Sequence, residues 1–416
     1  PYCNWNVTFG SDANKPLNNS NSEGSRPEFQ DIGWRYALRC PGCGSTFRGD
    51  KGFYKCPRCG ARLEAIFSYE PQRDLLREVL RRNRPRGVWR YKELLPVGSG
   101  AYNRGKGRAN SVTGPATPIA GEGVMGPSIQ GESPSGWTID EGLLDRVISD
   151  DVITIGEGDT PLVDAENLGE YIGLGRLFIK YEGANPTGTF KDRCMAVAIT
   201  KVMEFGGKGV VLGSAGNAAS SAAAYSAKAG LPCYVFVPAT TPSERVVQTM
   251  MYGGRVVLVR GTVNDCIDFI ARVQDQYGWH NVTTAGCYNP YQAEAPKTIG
   301  YEIAKDMAWE VPDWILVPVG GGGMLAAIWK AYNELSQLGL IKGLPRMVGV
   351  QAAGCAPLVR AFEKNSAPEA IEWWDRPDTI AAAIADPYPL DGEIALRAIY
   401  DSQGCAVSVS DEEILK

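Results

Sequence analysis

From residue 137 onward, six short apolar runs alternate with stretches that carry helical periodicity. The runs cover 177–181, 209–213, 233–237, 255–260, 314–319 and 347–351. Helices are expected between them, over 193–205, 218–229 and 324–338 among others. Apolar runs of strand length separated by helical stretches predict a mostly parallel sheet with helices on both faces, an α/β fold. A chain of 416 residues is long enough for two or three domains, and no internal repeat breaks the pattern.

The N-terminal third reads differently. Residues 1–35 are rich in Asn, Ser, Gly and Pro without periodicity and are expected to form a disordered or loosely packed arm. Residues 36–68 hold Cys40-Pro41-Gly42-Cys43 and Cys56-Pro57-Arg58-Cys59. Each Cys-x-x-Cys can wrap one edge of a metal, and the twelve residues between the pairs suffice for a hairpin, so a zinc ribbon is expected. Cys40, Cys43, Cys56 and Cys59 would close a structural Zn2+ site, and so small a module needs such a staple to fold. Rubredoxin-like iron and two unrelated thiol pairs remain as alternatives. Residues 69–95 are expected as a helical connector, with a helix near 73–82 whose arginines form a solvated face. Residues 96–138 are loaded with Gly, Pro and Ser and read as an insertion lying outside the core.

Composition excludes several functions. The net charge is −5, no basic stripe suggests nucleic acid, and no apolar run is long enough to span a membrane. Seven of the eleven cysteines are scattered outside the two pairs, which fits a reducing, cytoplasmic setting. His280 is the only histidine, so a polyhistidine metal site is excluded and any Ser-His or Cys-His mechanism would have to use that residue. It precedes a strand expected over 281–284 and reads as structural. The chemistry must therefore come from a lysine, a carboxylate or a cofactor.

Three segments supply candidates. Lys191 lies in Asn185-Pro186-Thr187-Gly188-Thr189-Phe190-Lys191-Asp192-Arg193, after a Gly-containing turn and at the mouth of a helix. A lysine desolvated there is more readily a neutral nucleophile. Ser214-Ala215-Gly216-Asn217 closes one apolar run and opens an Ala-rich helix at Ala218, where backbone N–H groups suit a carboxylate; the plainer reading is an N-cap. Gly320-Gly321-Gly322-Gly323 follows another run and precedes a helix at Met324, where backbone N–H groups can approach a phosphate. A tight turn or a dinucleotide loop could also be built this way, though Gly-x-Gly-x-x-Gly spacing is lacking.

Taken in this order, the three segments resemble the fold-type II pyridoxal phosphate enzymes, and the first most resembles threonine synthase. Gly156-Glu157-Gly158-Asp159-Thr160-Pro161-Leu162, Trp89-Arg90-Tyr91, Asn289-Pro290-Tyr291, Lys297-Thr298-Ile299 and the late Val407–Ile414 segment extend the resemblance, as does the cysteine module. It implies two open α/β subdomains with the cofactor between them, a catalytic domain over 139–416, and a smaller mobile subdomain over about 193–275. It implies a lyase in which Lys191 forms a Schiff base with pyridoxal phosphate and a group leaves the β or γ carbon of a small amino acid. Asn217 would contact the cofactor ring, Gly320–Gly323 and Met324 would hold its phosphate, and Ser214–Ala218 would take the substrate carboxylate. A homodimer is left open, as are a dehydratase-like or β-replacement activity and a non-catalytic member of the family.

The sequence departs from that pattern where threonine synthases read the phosphate of O-phosphohomoserine. Ala215, Ala218, Gln292 and Gly321 stand where hydroxyl, guanidinium and amide groups are usual. Arg is the natural bidentate partner of a phosphate, so its loss points to a substrate without one, unless Lys297 or Arg245 takes over. The family also supplies a pyridine-nitrogen partner from a segment after the one ending at Lys416, so the catalytic domain is expected to be C-terminally incomplete.

Overall fold

The computed structural model describes residues 36–67, 69, 73–81, 87–97, 152–261 and 263–416. The arm expected at 1–35 and nearly all of the insertion expected at 96–138 lie outside the described residues.

The cysteine module is a three-stranded antiparallel sheet of β1 (Tyr36–Arg39), β2 (Thr46–Arg48) and β3 (Glu64–Phe67), in the order β2-β1-β3. Between the two cysteine pairs lies a single strand, β2. β2 runs into a 3-10 turn at Gly49–Lys51, and the strand that completes the sheet comes after the second pair. Gly49 is pressed on Tyr36: a Cβ there would lie 2.2 Å from the ring.

A connector follows. In α1 (Arg73–Arg81), Leu76 and Leu80 are buried in the larger core. Its arginines are not simply a solvated face, because Arg77 donates to the carbonyls of Leu338 and Gly339. A 3-10 segment, Val88–Leu94, then divides its side chains between two cores. Tyr91 and Leu94 enter the larger one, while Val88 and Trp89, joined by Leu95 and Val97 just after the segment, enter the smaller.

The rest alternates as expected. β4 (Leu162–Asp164), α2 (Glu166–Ile172) and β5 (Phe178–Lys180) form an antiparallel pair bridged by a helix. Then come α3 (Lys191–Glu204), β6 (Gly209–Gly213), α4 (Asn217–Ala229), β7 (Cys233–Pro238), α5 (Glu244–Met251), β8 (Arg255–Val259), α6 (Val263–Tyr277) and β9 (Trp279–Asn281). They build a parallel four-stranded sheet in the order β8-β7-β6-β9. α7 (Lys297–Asp306), β10 (Trp314–Pro318), α8 (Gly323–Gln337), β11 (Arg346–Ala352), α9 (Pro357–Glu363), α10 (Gly392–Asp401), β12 (Cys405–Val409) and α11 (Asp411–Ile414) complete the chain. Their strands form a second parallel sheet, β10-β11-β12.

The four-stranded sheet reaches Asn281, six residues past the subdomain boundary read at about 275. The strand expected over 281–284 instead ends at Asn281, because the Asn281 side chain takes the Thr283 N–H (2.9 Å) and turns the chain. His280 therefore sits inside β9, opposite Val210, with Nδ1 2.7 Å from the Tyr54 hydroxyl of the cysteine module. Burial pushes its pKa down, which accords with a structural imidazole.

Candidate active site

Lys191 opens α3, and its two successors fix that position. Asp192 is fully buried and turns back on the Asn185–Gly188 turn: it accepts from the Thr187 N–H (2.7 Å) and hydroxyl (2.5 Å), and from Ser221 on α4. Burial pushes its carboxyl up while these donors hold it down. Gly188 has φ +81°, which a side chain would strain. Arg193 is also fully buried. It pairs with Glu302 through two bonds (2.6 and 2.7 Å) and with Glu182 through two more (2.8 and 2.7 Å). Lys180 adds a second cation 2.8 Å from Glu302. Burial alone would raise the Glu302 pKa, but Arg193 and Lys180 bring it down to about 2. Between these anchors Lys191 itself is half-buried, with Nζ 4.5 Å from the centre of the Phe190 ring.

Gly320–Gly323 leaves β10 and enters α8. No backbone partner is found for its four N–H groups among the described residues. Gly322 has φ +96°, and a Cβ there would lie 2.7 Å from the Asp391 carbonyl oxygen. The Asp391 N–H donates to the Gly321 carbonyl (2.8 Å), so residues 383–391 wrap the run. Met324 is half-buried against the larger core. Two carboxyls border the glycines. Asp386 Oδ2 is 3.3 Å from where a Gly321 Cβ would be, and Asp391 Oδ2 is 2.9 Å from that of Gly323. Burial lifts Asp386 to about 6 and raises Asp391, and the Lys191 charge counters both.

Ser214-Ala215-Gly216-Asn217 lies at the C-terminal end of β6 and the start of α4. Ser214 Oγ accepts from the Gly216 N–H (3.3 Å), and the Asn217 side chain is exposed. Ala215 and Ala218 pack on the smaller core, so only their backbone is available to a ligand. Ser221, one turn after Asn217 on α4, is the Asp192 partner, which places this loop beside the start of α3. Both loops thus sit beyond the carboxyl ends of parallel strands, the usual ligand position in open α/β sheets.

Asp386, Asp391 and the ion-pair partners Glu182 and Glu302 were not singled out in the sequence. Asp386-Pro387-Tyr388-Pro389-Leu390-Asp391 reads as a plain turn-rich loop, with no signal that it folds onto the glycines.

The cysteine module has twin knuckles. In each, the first cysteine's carbonyl accepts from a glycine N–H, Gly44 (2.9 Å) or Gly60 (2.8 Å), and its N–H reaches the next residue's carbonyl, Ser45 or Ala61 (both 2.8 Å). The sulfurs of Cys40, Cys43, Cys56 and Cys59 lie within 4.8 Å of one another, a four-thiolate set of the kind that closes around a metal. Its outer surface joins the catalytic part through Tyr291, whose hydroxyl donates to the Phe53 carbonyl (3.2 Å). It also joins through Lys201, whose Nζ lies 3.0 Å from the Tyr36 hydroxyl and over the rings of Phe205 and Tyr291.

A lysine amine, partnerless glycine N–H groups at the start of a fifteen-residue helix, and a helix-opening asparagine form a donor set that fits an aldehyde-bearing phosphate ester. Comparison with known proteins agrees. The family described as "pyridoxal-phosphate dependent enzyme" matches residues 153–416, and the chain belongs to that family. Within it the chain is a threonine synthase-like lyase. It is 36% identical over 379 residues to threonine synthase of Methanocaldococcus jannaschii, spanning 91% of this chain and 80% of that one. It is 35% identical over 381 residues to that of Methanosarcina acetivorans, with the same coverage. Among solved structures, maize serine racemase shares the fold (TM-score 0.53, 22% identity, 62% of this chain and 73% of that one). Threonine deaminase isoform 2 of Solanum lycopersicum, in its processed form, shares it as well (TM-score 0.51, 22% identity, 60% and 65%). No helix among the described residues is long and apolar enough to cross a membrane.

Proposed function

We propose that this lyase acts on a small amino acid, removing or replacing a group at its β or γ carbon in the manner of threonine synthase. The observation that carries the reading is the placement of Lys191 at the start of α3, locked there by Asp192 and Arg193, with its charge acting on the two carboxyls that border the glycine run. Pyridoxal phosphate supplies an electron sink when bound. Lys191 Nζ would anchor it and, once released, take and return the substrate's α-proton. The N–H groups of Gly320–Gly323 would take the phosphate, with Met324 at the start of the helix behind them. Asn217 would orient the ring. The backbone of Ser214, Ala215, Gly216 and Ala218 would take the substrate carboxylate at the start of α4. Cys40, Cys43, Cys56 and Cys59 would hold a structural zinc.

A second reading, a dehydratase-like or β-replacement activity on a non-phosphorylated substrate, is favoured by the substrate end of the site. Lys297 is consumed by Glu294 (2.8 Å) and Glu334 (3.1 Å) and lies over the Phe67 ring, so it does not replace the arginine absent at Gln292. Spectral titration with O-phosphohomoserine, serine and threonine, followed by product analysis, separates the two. A spectrum that none of the three perturbs would overturn both.

A further inference from the structure

Arg62 carries the cysteine module to the loop behind the glycine run. Arg62 lies three residues past Cys59, directly after Ala61, whose carbonyl closes the second knuckle on the Cys56 N–H (2.8 Å). The knuckle therefore sets where the Arg62 backbone stands. Its side chain is only 11% exposed, and its nearest anions are Glu64 (3.7 Å) and Asp391 (4.0 Å). Its Nε is buried without a hydrogen-bond partner.

Asp391 in turn belongs to the glycine run. It meets Gly321 through its N–H, Gly322 through its carbonyl and Gly323 through its side chain. Both its carboxylate oxygens accept from the Gly286 N–H (3.0 Å each), and Arg62 Nη2 lies 3.4 Å from where a Gly286 Cβ would stand. Arg62, Gly286 and Asp391 thus form one contact behind the glycines.

A carboxylate is an unfavourable neighbour for a phosphate, because like charges at this range repel. Arg62 from the module stands 4.0 Å from Asp391, the Lys191 charge also acts on that carboxyl, and Asp386 adds a further negative group. With the Lys191 amine committed to the cofactor, Arg62 is the lasting counter-charge.

We propose that Arg62 is a positioning residue for cofactor binding: by compensating Asp391 it holds the glycine run Gly320–Gly323 ready for a phosphate, so the cysteine module takes part in building the site. This rests on the reading that the glycine run takes the cofactor phosphate.

The test titrates pyridoxal phosphate and pyridoxal into the full chain by absorbance and fluorescence, with metal content measured on every variant. Arg62→Ala is expected to weaken pyridoxal phosphate about tenfold, the ordinary scale of coupling between linked sites. Arg62→Lys should recover most of that loss. In an Asp391→Asn background, Arg62→Ala should have little further effect, since no carboxylate remains to compensate. Pyridoxal, lacking the phosphate, should bind all of these alike. Unchanged affinity in Arg62→Ala, effects of Arg62→Ala and Asp391→Asn that simply add, or equal weakening of pyridoxal each overturn the proposal. If Arg62→Ala loses its metal, Arg62→Lys and Arg62→Gln with metal retained decide in its place. Gly322→Ala separates the underlying reading: unchanged pyridoxal phosphate affinity there would remove the phosphate from the glycine run whatever Arg62 does.

Discussion

Arg193 and Glu302 face each other in a two-bond pair, Nη1 to Oε1 at 2.6 Å and Nη2 to Oε2 at 2.7 Å, with both side chains out of solvent. The pair joins α3, two residues after Lys191, to α7, which packs on the larger core. Removing one partner of a buried pair leaves the other uncompensated and costs about 3–5 kcal/mol. Arg193→Ala and Glu302→Ala are each expected to lose stability on that scale in urea denaturation. The double variant should lose less than the sum, because each single variant already forfeits the attraction between Arg193 and Glu302, although Glu182 and Lys180 each lose a partner in it.

The same pair sets an acid limit. The Glu302 pKa is about 2 in the folded protein against a usual 4.5. A depressed carboxyl stabilises the fold above its unfolded value, and that contribution is lost as pH falls through its folded value. Stability contributed by Glu302 should therefore be intact above pH 4.5 and drain away between 4.5 and 2. Glu302→Gln should be less stable at neutral pH and show a shallower loss across that window. Denaturation midpoints measured every half pH unit check this, and parallel curves for the two proteins would refute it.

Lys191→Ala is expected to abolish covalent cofactor attachment while leaving the fold intact, because the anchors of this turn are Asp192 and Arg193 rather than the lysine. Borohydride treatment followed by peptide mass analysis should find pyridoxyl label on residue 191 of the wild type and none in the variant. Label retained on the variant at any other lysine would show that Lys191 is not the anchor.

Metal removal should act on the interface between module and catalytic part. The buried side chains of Tyr36, Leu38 and Tyr291 share one cluster with Cys40 and Cys56, and a core so small is expected to depend on a metal staple. Cys56→Ser is expected to lower bound zinc from about one per chain toward none and to lower the thermal midpoint, read by elemental analysis and calorimetry. Full stability without metal would mean that the sheet and its aromatic contacts suffice.

Much of the architecture was legible because apolar runs 209–213 and 314–319 each lead into a glycine-containing loop and then helical periodicity. That each run belongs to a different sheet was not legible, since strand order depends on pairing between distant segments. β12 was missed because Cys405–Val409 buries only Ala406 and shows neither an apolar run nor a clean alternation, and it abuts a capped helix start at Ser410. The local parts of the candidate site could be read from motifs. The parts that depend on charge meeting across the fold, Arg62 with Asp391 and Arg193 with Glu302, could not, because no spacing rule links residues so far apart.

Substrate choice gives the last prediction. The positions expected to read a substrate phosphate are now placed. Ala218 packs into the smaller core, Gln292 is buried with its N–H on Asn289 Oδ1 (3.1 Å), and Lys297 is held by Glu294 and Glu334. None offers a free cation to a dianion. A charge-assisted bond contributes roughly 1.5–3 kcal/mol, so the loss of two weakens phosphate recognition about a hundredfold or more. A non-phosphorylated hydroxy amino acid should therefore perturb the cofactor spectrum at lower concentration than O-phosphohomoserine does, in side-by-side titrations of the loaded protein. Arg245 on α5 is the remaining candidate reader, exposed on the first turn of that helix. If O-phosphohomoserine instead binds tightly and is turned over, Arg245→Ala should abolish that preference, and the activity would be that of threonine synthase itself.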